Sequence, residues 1–195
     1  MIPTTKRITQ TGVVSSDVYS DEFTFNRRIY LTGPIEDSNA ADICAQINHL
    51  AAQGNDDIYL IIQSPGGSVT AGMAILDTMN ACKCDICTIV NGTAASMGAL
   101  LASSGTKGKR YIGPNAEMML HQPLGGAQGQ ASDIERTAAH IVKTKKKLHT
   151  ILAENTGVPY EQICIDCDRD YYLDAQEAID YGLVDHFFTG FEQDQ

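Results

Sequence analysis

The chain has 195 residues, 43% of them hydrophobic and 19% charged, a balance that suits one folded domain and excludes a disordered chain. Its 24 acidic against 14 basic side chains give a formal net charge of −10, which argues against nucleic acid as a partner because phosphates would be repelled. No stretch approaches the ~20 apolar residues of a membrane span, and Met1 to Arg7 leads into polar sequence, so a cytoplasmic protein without a membrane contact is expected.

Residues 1–20 are polar and lack clear periodicity, and read as a mobile N-terminal arm or hairpin. Residues 21–195 read as a single domain. Arg28-Ile29-Tyr30-Leu31 is a short strand stopped by Gly33-Pro34. Asp37-Ser38-Asn39 offers a helix N-cap, and Ile43, Ile47 and Leu50 recur at helical spacing until Gly54. Residues 57–62 compose a buried strand that runs through Ser64-Pro65-Gly66-Gly67 into a helix over 69–80. Residues 86–90 repeat the strand, Asn91-Gly92 reads as a turn, and a short helix follows to Ser103. Residues 109–112 and 117–120 read as strands around a Gly113-Pro114-Asn115 turn. Ser132-x-x-Glu135 reads as a capping box opening a long helix to about Gly157. A last helix spans roughly 174–181, before a strand near 183–188. Strand–helix alternation of this kind predicts an α/β domain on a parallel sheet.

The six cysteines are Cys44, Cys82, Cys84, Cys87, Cys164 and Cys167. We expect reduced thiols and no metal site, because Cys82, Cys84 and Cys87 alternate on the approach to a strand and would not converge readily on one ion. Four lysines, Lys143 and Lys145 to Lys147, crowd the long helix and read as a solvated face.

The segment most informative about chemistry is Gly92-Thr93-Ala94-Ala95-Ser96-Met97-Gly98-Ala99. A nucleophilic serine needs a sharp strand-to-helix turn with backbone N–H groups facing the reaction, and small flanking residues permit that turn. The plainer reading, a serine that N-caps a helix, is the commoner role for such a residue. Gly66-Gly67 follows a buried strand and would let a ligand's backbone approach, with the Gly67 N–H as an oxyanion donor; an ordinary tight turn would look the same. Of five histidines, only His121 ends an apolar strand just before a glycine-rich loop, where scaffolds place catalytic groups. Asp166, Asp168 and Asp170 alternate along an irregular-looking stretch, and spacing does not choose among them.

Taken together these segments resemble the ClpP family, the proteolytic subunits of ATP-dependent Clp proteases. Residues 92–99 look like that family's nucleophile motif and Met119-Leu120-His121-Gln122-Pro123 like its histidine motif. Ser64 to Gly67, Ala71-Gly72-Met73, Gln128-Gly129-Gln130, Asp168-Arg169-Asp170-Tyr171 and Tyr181-Gly182-Leu183-Val184-Asp185 match in order.

The resemblance implies a ClpP/crotonase-like fold of repeated β-β-α units with a long handle helix, and a serine endopeptidase acting through an acyl-enzyme. It implies Ser96 as nucleophile, His121 as base, Asp170 as orienting acid, and the N–H groups of Gly67 and Met97 as the oxyanion hole. Gly67, Ser68, Val69, Leu124 and Gly125 would pair with an extended substrate. No metal or cofactor is implied, ATP being used by a partner unfoldase of the AAA+ type. The expected assembly is two stacked heptameric rings fed with unfolded polypeptide, gated axially by residues up to about 20. Tyr59, Ile61, Ile89, Tyr111 and Phe188 would line the unfoldase-docking cleft. Asn91 and Gly113 stand where the family usually has large apolar side chains, which predicts a shallower or more polar cleft. Two rivals are a crotonase-like acyl-CoA enzyme, which would not need Ser, His and Asp together, and an inactive scaffold subunit, which usually lacks a triad member.

Overall fold

The structure, a computed structural model, describes residues 2–10 and 12–191. Met1 and Thr11 of the predicted arm and residues 192–195 of the predicted domain lie outside the described residues.

The amino-terminal segment is a hairpin, β1 (Thr4–Thr9) against β2 (Gly12–Asp17), followed by α1 (Val18–Asn26). Asp17 caps α1 by accepting the N–H groups of Tyr19 and Ser20 at 2.9 and 3.0 Å. No helix is expected here from the sequence, because Val18, Tyr19, Phe23 and Phe25 keep no helical stripe. Arg7 holds the hairpin to α1 through Asp21 at 2.9 Å.

The body alternates β3 (Arg28–Thr32), α2 (Asp37–Gln53), β4 (Ile58–Ser64), α3 (Val69–Ala81), β5 (Ile86–Ala95) and α4 (Met97–Ser103). There follow β6 (Arg110–Ile112), β7 (Glu117–Leu120), α5 (Ala131–Thr156), α6 (Tyr160–Asp166), β8 (Tyr171–Asp174), α7 (Ala175–Asp180) and β9 (His186–Phe187). The sheet runs β3-β4-β5-β6-β9 in parallel, as the alternation predicts. β4 buries one face completely, with Ile58, Leu60 and Ile62 at 0% exposure, while Tyr59 on the other face is only half-buried. α2 and α3 close over the sheet through Ile43, Ile47, Leu50, Ile75, Leu76 and Met79. α4 is buried along its whole length, so its apolar residues carry no amphipathic stripe.

Several expectations are corrected. Asn91-Gly92 is not a turn but a kink inside β5, with Gly92 at φ 71°. Before the kink β5 pairs with β6, over Thr88 to Val90; after it, with β7, over Thr93 to Ala95. β6 and β7 therefore do not form a hairpin about Gly113. Ser132 and Glu135 form no capping box, because the N-cap of α5 is Gln130, two residues earlier. Asp166 ends α6, while the turn at 167–169 keeps Asp168 in irregular chain as expected, and β8 pairs antiparallel with β7.

Arg110 ties the carboxyl end of the fold together. Its guanidinium, 3% exposed, donates to both Asp185 oxygens, at 2.9 and 2.6 Å, and to the carbonyls of Ser103 and Asn155 at 3.0 Å. Burial alone would push the Asp185 carboxyl up, but the Arg110 bonds outweigh it and hold the group below its ordinary range.

Candidate active site

Ser96 sits between β5 and α4 with φ 55° and ψ −120°, a conformation that a serine rarely adopts. Such a residue costs on the order of 1–3 kcal/mol and persists only where its surroundings fix it. Its N–H donates to the Met119 carbonyl of β7 at 2.8 Å, and its carbonyl accepts from Leu100 at 3.1 Å. Gly66, at φ 87°, packs on the same turn: a Cβ there would lie 2.7 Å from the Ala95 oxygen and 3.0 Å from the Met97 nitrogen.

Ser96 occupies the N-cap position of α4, yet its side chain makes no capping bond. Its Oγ lies instead 2.8 Å from Nε2 of His121. That contact separates the two readings of this serine, since a capping hydroxyl would face the helix N–H groups.

His121 follows β7 directly, and Asp170 precedes β8. These strands are antiparallel with Leu120 opposite Tyr171, so one further step of the same register sets His121 across from Asp170. Nδ1 of His121 and Oδ1 of Asp170 are 3.4 Å apart. The other two acids are engaged elsewhere. Asp166 accepts from the Tyr181 hydroxyl at 2.6 Å, and Asp168 accepts from the Gln122 side-chain amide at its backbone carbonyl, 2.9 Å, and at its carboxylate, 3.3 Å. Gln122 is a bracing residue that sequence reasoning did not single out. Its N–H donates to the Cys167 carbonyl at 2.7 Å and its side-chain oxygen accepts from Lys145 at 2.8 Å, which pins the histidine loop to α5 and to the turn before β8.

Gly67 forms a lone parallel bridge with Ile35: Ile35 donates to the Gly66 carbonyl, and Ser68 donates to the Ile35 carbonyl, each at 2.8 Å. The N–H groups of Gly67 and Met97 donate to no other group among the described residues. Ser68 caps α3 through Ala71, and Val69 is already helical, so the extended stretch is shorter than 67–69. Residues 121–128 carry no strand. Leu124 is 85% exposed, and Gly125 packs on Ile141 of α5.

A narrow pocket opens beside Ser96 and His121, walled by Val69, Met97, Leu100, Leu120, Leu148 and Leu152, with His149 also facing it. A wider groove of about 570 Å³ continues between α3 and α5, past Met73, His140 and Lys143. His149 lay outside the sequence reading, as one more histidine on a long helix.

On the opposite part of the sheet, Ile61, Ile89 and Tyr111 form one row across β4, β5 and β6. Ile89 is fully buried and Ile61 5% exposed, so the surface there is made by Tyr59, Tyr111 and Phe188. Phe191 joins them, its ring 5.4 Å from Tyr59 and 5.0 Å from Phe188, with the Arg28 guanidinium 3.3 Å over it.

Among the described residues, no group of three or more His, Cys, Asp or Glu is placed to hold a metal ion, and no helix is long and apolar enough to cross a membrane. All six cysteines are free.

Comparison with known proteins identifies the family. The family model described as Clp protease matches residues 10–190. The chain is 51% identical over 192 residues to the ATP-dependent Clp protease proteolytic subunit of Streptococcus thermophilus strain ATCC BAA-491 / LMD-9, covering 97% of each chain. It is equally similar to the protein of that name from Streptococcus salivarius.

Proposed function

Because the chain belongs to the Clp protease family, we propose that it hydrolyses peptide bonds through Ser96, His121 and Asp170. The observation that carries this reading is the 2.8 Å contact of Ser96 Oγ with His121 Nε2, made by a serine held in a strained turn. Ser96 Oγ attacks the scissile carbonyl while His121 Nε2 takes its proton. The C–N bond then breaks, with the same proton passing to the leaving amine, and the acyl group stays on Ser96. Water, deprotonated by His121, releases the acid product and restores the serine. Asp170 orients His121 from the Nδ1 side. The free N–H groups of Gly67 and Met97 would stabilise the oxyanion, where one such donor is typically worth roughly 10²–10³ in kcat. These side chains and N–H groups supply the whole cycle, so the reading assigns this chain no metal or cofactor.

Unfolded polypeptide is the substrate in this reading, lying extended between Gly67–Ser68 and Leu124–Gly125, with Val69 beside it at the start of α3. The particle would be a homo-oligomer of two stacked seven-membered rings in the cytoplasm, gated by residues 1–20. α5 suits a handle between rings, since Ile134 and Val142 remain 41% and 65% exposed on it. An ATP-consuming AAA+ Clp unfoldase would dock near Tyr59, Tyr111 and Phe188, with Ile61 and Ile89 as the floor. The names of the relatives, each a subunit of an ATP-dependent protease, support that partnership.

The test is intact-mass analysis after treatment with a fluorophosphonate. One adduct per chain is expected, absent in Ser96→Ala, with assembly unchanged on native mass spectrometry. An assembled protein that takes up no probe would overturn the assignment of Ser96.

A further inference from the structure

Of the four lysines on α5, Lys143, Lys146 and Lys147 are exposed, as a solvated face requires. Lys145 is not: it is half-buried, and its Nζ donates to the side-chain oxygen of Gln122 at 2.8 Å. An ammonium group only donates, so the amide must turn its oxygen to Lys145 and its NH2 away. That NH2 donates to Asp168 at the backbone carbonyl, 2.9 Å, and at the carboxylate, 3.3 Å. Gln122 directly follows His121, and Asp168 stands two residues before Asp170. The amide therefore joins the two short segments that deliver the histidine and its acid, and the lysine sets its direction. One turn before Lys145, Ile141 packs on Gly125 of the same loop, where a Cβ would lie 2.6 Å from the Ile141 Cδ1. An apolar contact has no direction, so it brings the loop to α5 and leaves the amide to be oriented by the lysine.

We infer that Lys145 is a positioning residue for peptide-bond hydrolysis, holding the turn at 167–169 through Gln122 so that Asp170 meets His121. The acid has little else to hold it. Its side chain is 59% exposed, lies 3.4 Å from Nδ1 of His121, and makes no other hydrogen bond or ion pair among the described residues. A contact of this kind is lost by about 3.6 Å, so a shift of a few tenths of an ångström at the turn decides whether the acid orients the ring. Without Lys145 the amide is free to swing to solvent. The turn then keeps only the Gln122 N–H bond to the Cys167 carbonyl, at its end away from Asp170. Lys145 touches neither substrate nor reacting atoms. Its effect is therefore bounded by that of the acid it places, about 10² in kcat.

The inference rests on Ser96, His121 and Asp170 acting as proposed above. It is tested by steady-state kinetics on the assembled protein with one fluorogenic peptide. Lys145→Met is expected to lower kcat about ten-fold and to leave KM nearly unchanged, because no contact with bound substrate is lost. Lys145→Arg, which keeps a cationic donor at the same point, should retain most of the parent's kcat. The deciding comparison is made in Asp170→Ala. With no acid left to place, adding Lys145→Met should change kcat by less than about two-fold, as a double-mutant cycle requires of residues acting in series. A lysine that merely stabilised α5 would lower kcat equally in both backgrounds. That result, or an unchanged kcat in Lys145→Met alone, overturns the inference. Should Lys145→Met fail to assemble, Gln122→Leu breaks the same relay from its other end, and the same comparison in Asp170→Ala decides. Fluorophosphonate labelling of the parent separates the two failures. An adduct on Ser96 with equal losses in both backgrounds removes only the role of Lys145, whereas no adduct removes the catalytic pair as well.

Discussion

Gly66 and Ser96 are packed so closely that a Cβ on the glycine would fall 2.7 Å from the Cβ of the serine. The glycine turn after β4 and the strained turn after β5 are therefore built as one unit, neither able to relax without the other. Gly66→Ala would strain its own backbone at φ 87° and displace Ser96. We expect peptidase activity to fall by about 10² or more, as a misplacement near 1 Å can do. Fluorophosphonate labelling rates check this, with Gly54→Ala as control, because a Cβ there meets only the Asp56 side chain at 3.9 Å.

The two contacts of His121 are unequal. Ser96 lies at 2.8 Å, whereas Asp170 lies at 3.4 Å with its side chain 59% exposed. A solvated acid at that separation orients the ring less firmly than a buried one would. His121→Ala is expected to lower kcat by about 10⁴, the upper range for a general acid–base group, and Asp170→Ala by only about 10². Steady-state kinetics on one peptide checks the order, and equal losses would mean that the acid closes on the histidine during turnover.

The Arg110–Asp185 pair should dominate the stability of the carboxyl end. Removing one partner leaves the other buried, and Arg110→Ala is expected to cost about 3–5 kcal/mol in denaturant unfolding. The pH dependence has a definite sign. Asp185 has a depressed pKa in the folded state, so its contribution is complete above the ordinary carboxylate value and fades as pH falls through the folded one. In Arg110→Ala that contribution is already gone. The gap between parent and variant should be full at neutral pH and narrow below about pH 4. A gap independent of pH would mean that Arg110 acts through its bonds to Ser103 and Asn155 alone.

The cysteines should divide into two sets. Cys84, Cys87 and Cys167 are buried, and burial, followed by neighbouring acids, pushes the thiols of Cys87 and Cys167 up to about 12. Thiols in that state carry almost no thiolate at pH 8 and stay inert to alkylation. Iodoacetamide should modify at most Cys44, Cys82 and Cys164 in the native protein and all six in urea, as counted by mass. Rapid native modification of Cys87 or Cys167 would show that β5 or the end of α6 opens easily.

What the sequence made legible follows from periodicity. β4 and α3 announce themselves as an apolar run and a helical stripe meeting at paired glycines, and the body of α5 keeps its helical spacing. α1 has no stripe, and α6 is short enough that its three cysteine- and acid-rich positions read as irregular. The kink at Gly92 imitated a turn because an Asn-Gly pair looks the same whether a strand ends there or changes neighbour. For the site, motif order pointed to Ser96 and His121, and the β7–β8 register supplies a reason why Asp170, rather than Asp166 or Asp168, faces the histidine. His149 could not be read at all. Its buried Nε2 lacks a hydrogen-bond partner, which no spacing rule encodes.

The kink at Gly92 has one more consequence. β5 is a single length of backbone carrying the Ile89 row at one end and delivering Ser96 at the other, seven residues on, with Gly92 as the joint between two ladders. A load on the Tyr59–Tyr111 face would enter β5 at Ile89, through the ladders to β4 and β6, and from there the same strand leads to the serine. Stiffening or loosening the joint would change how faithfully the two ends of the strand report to each other.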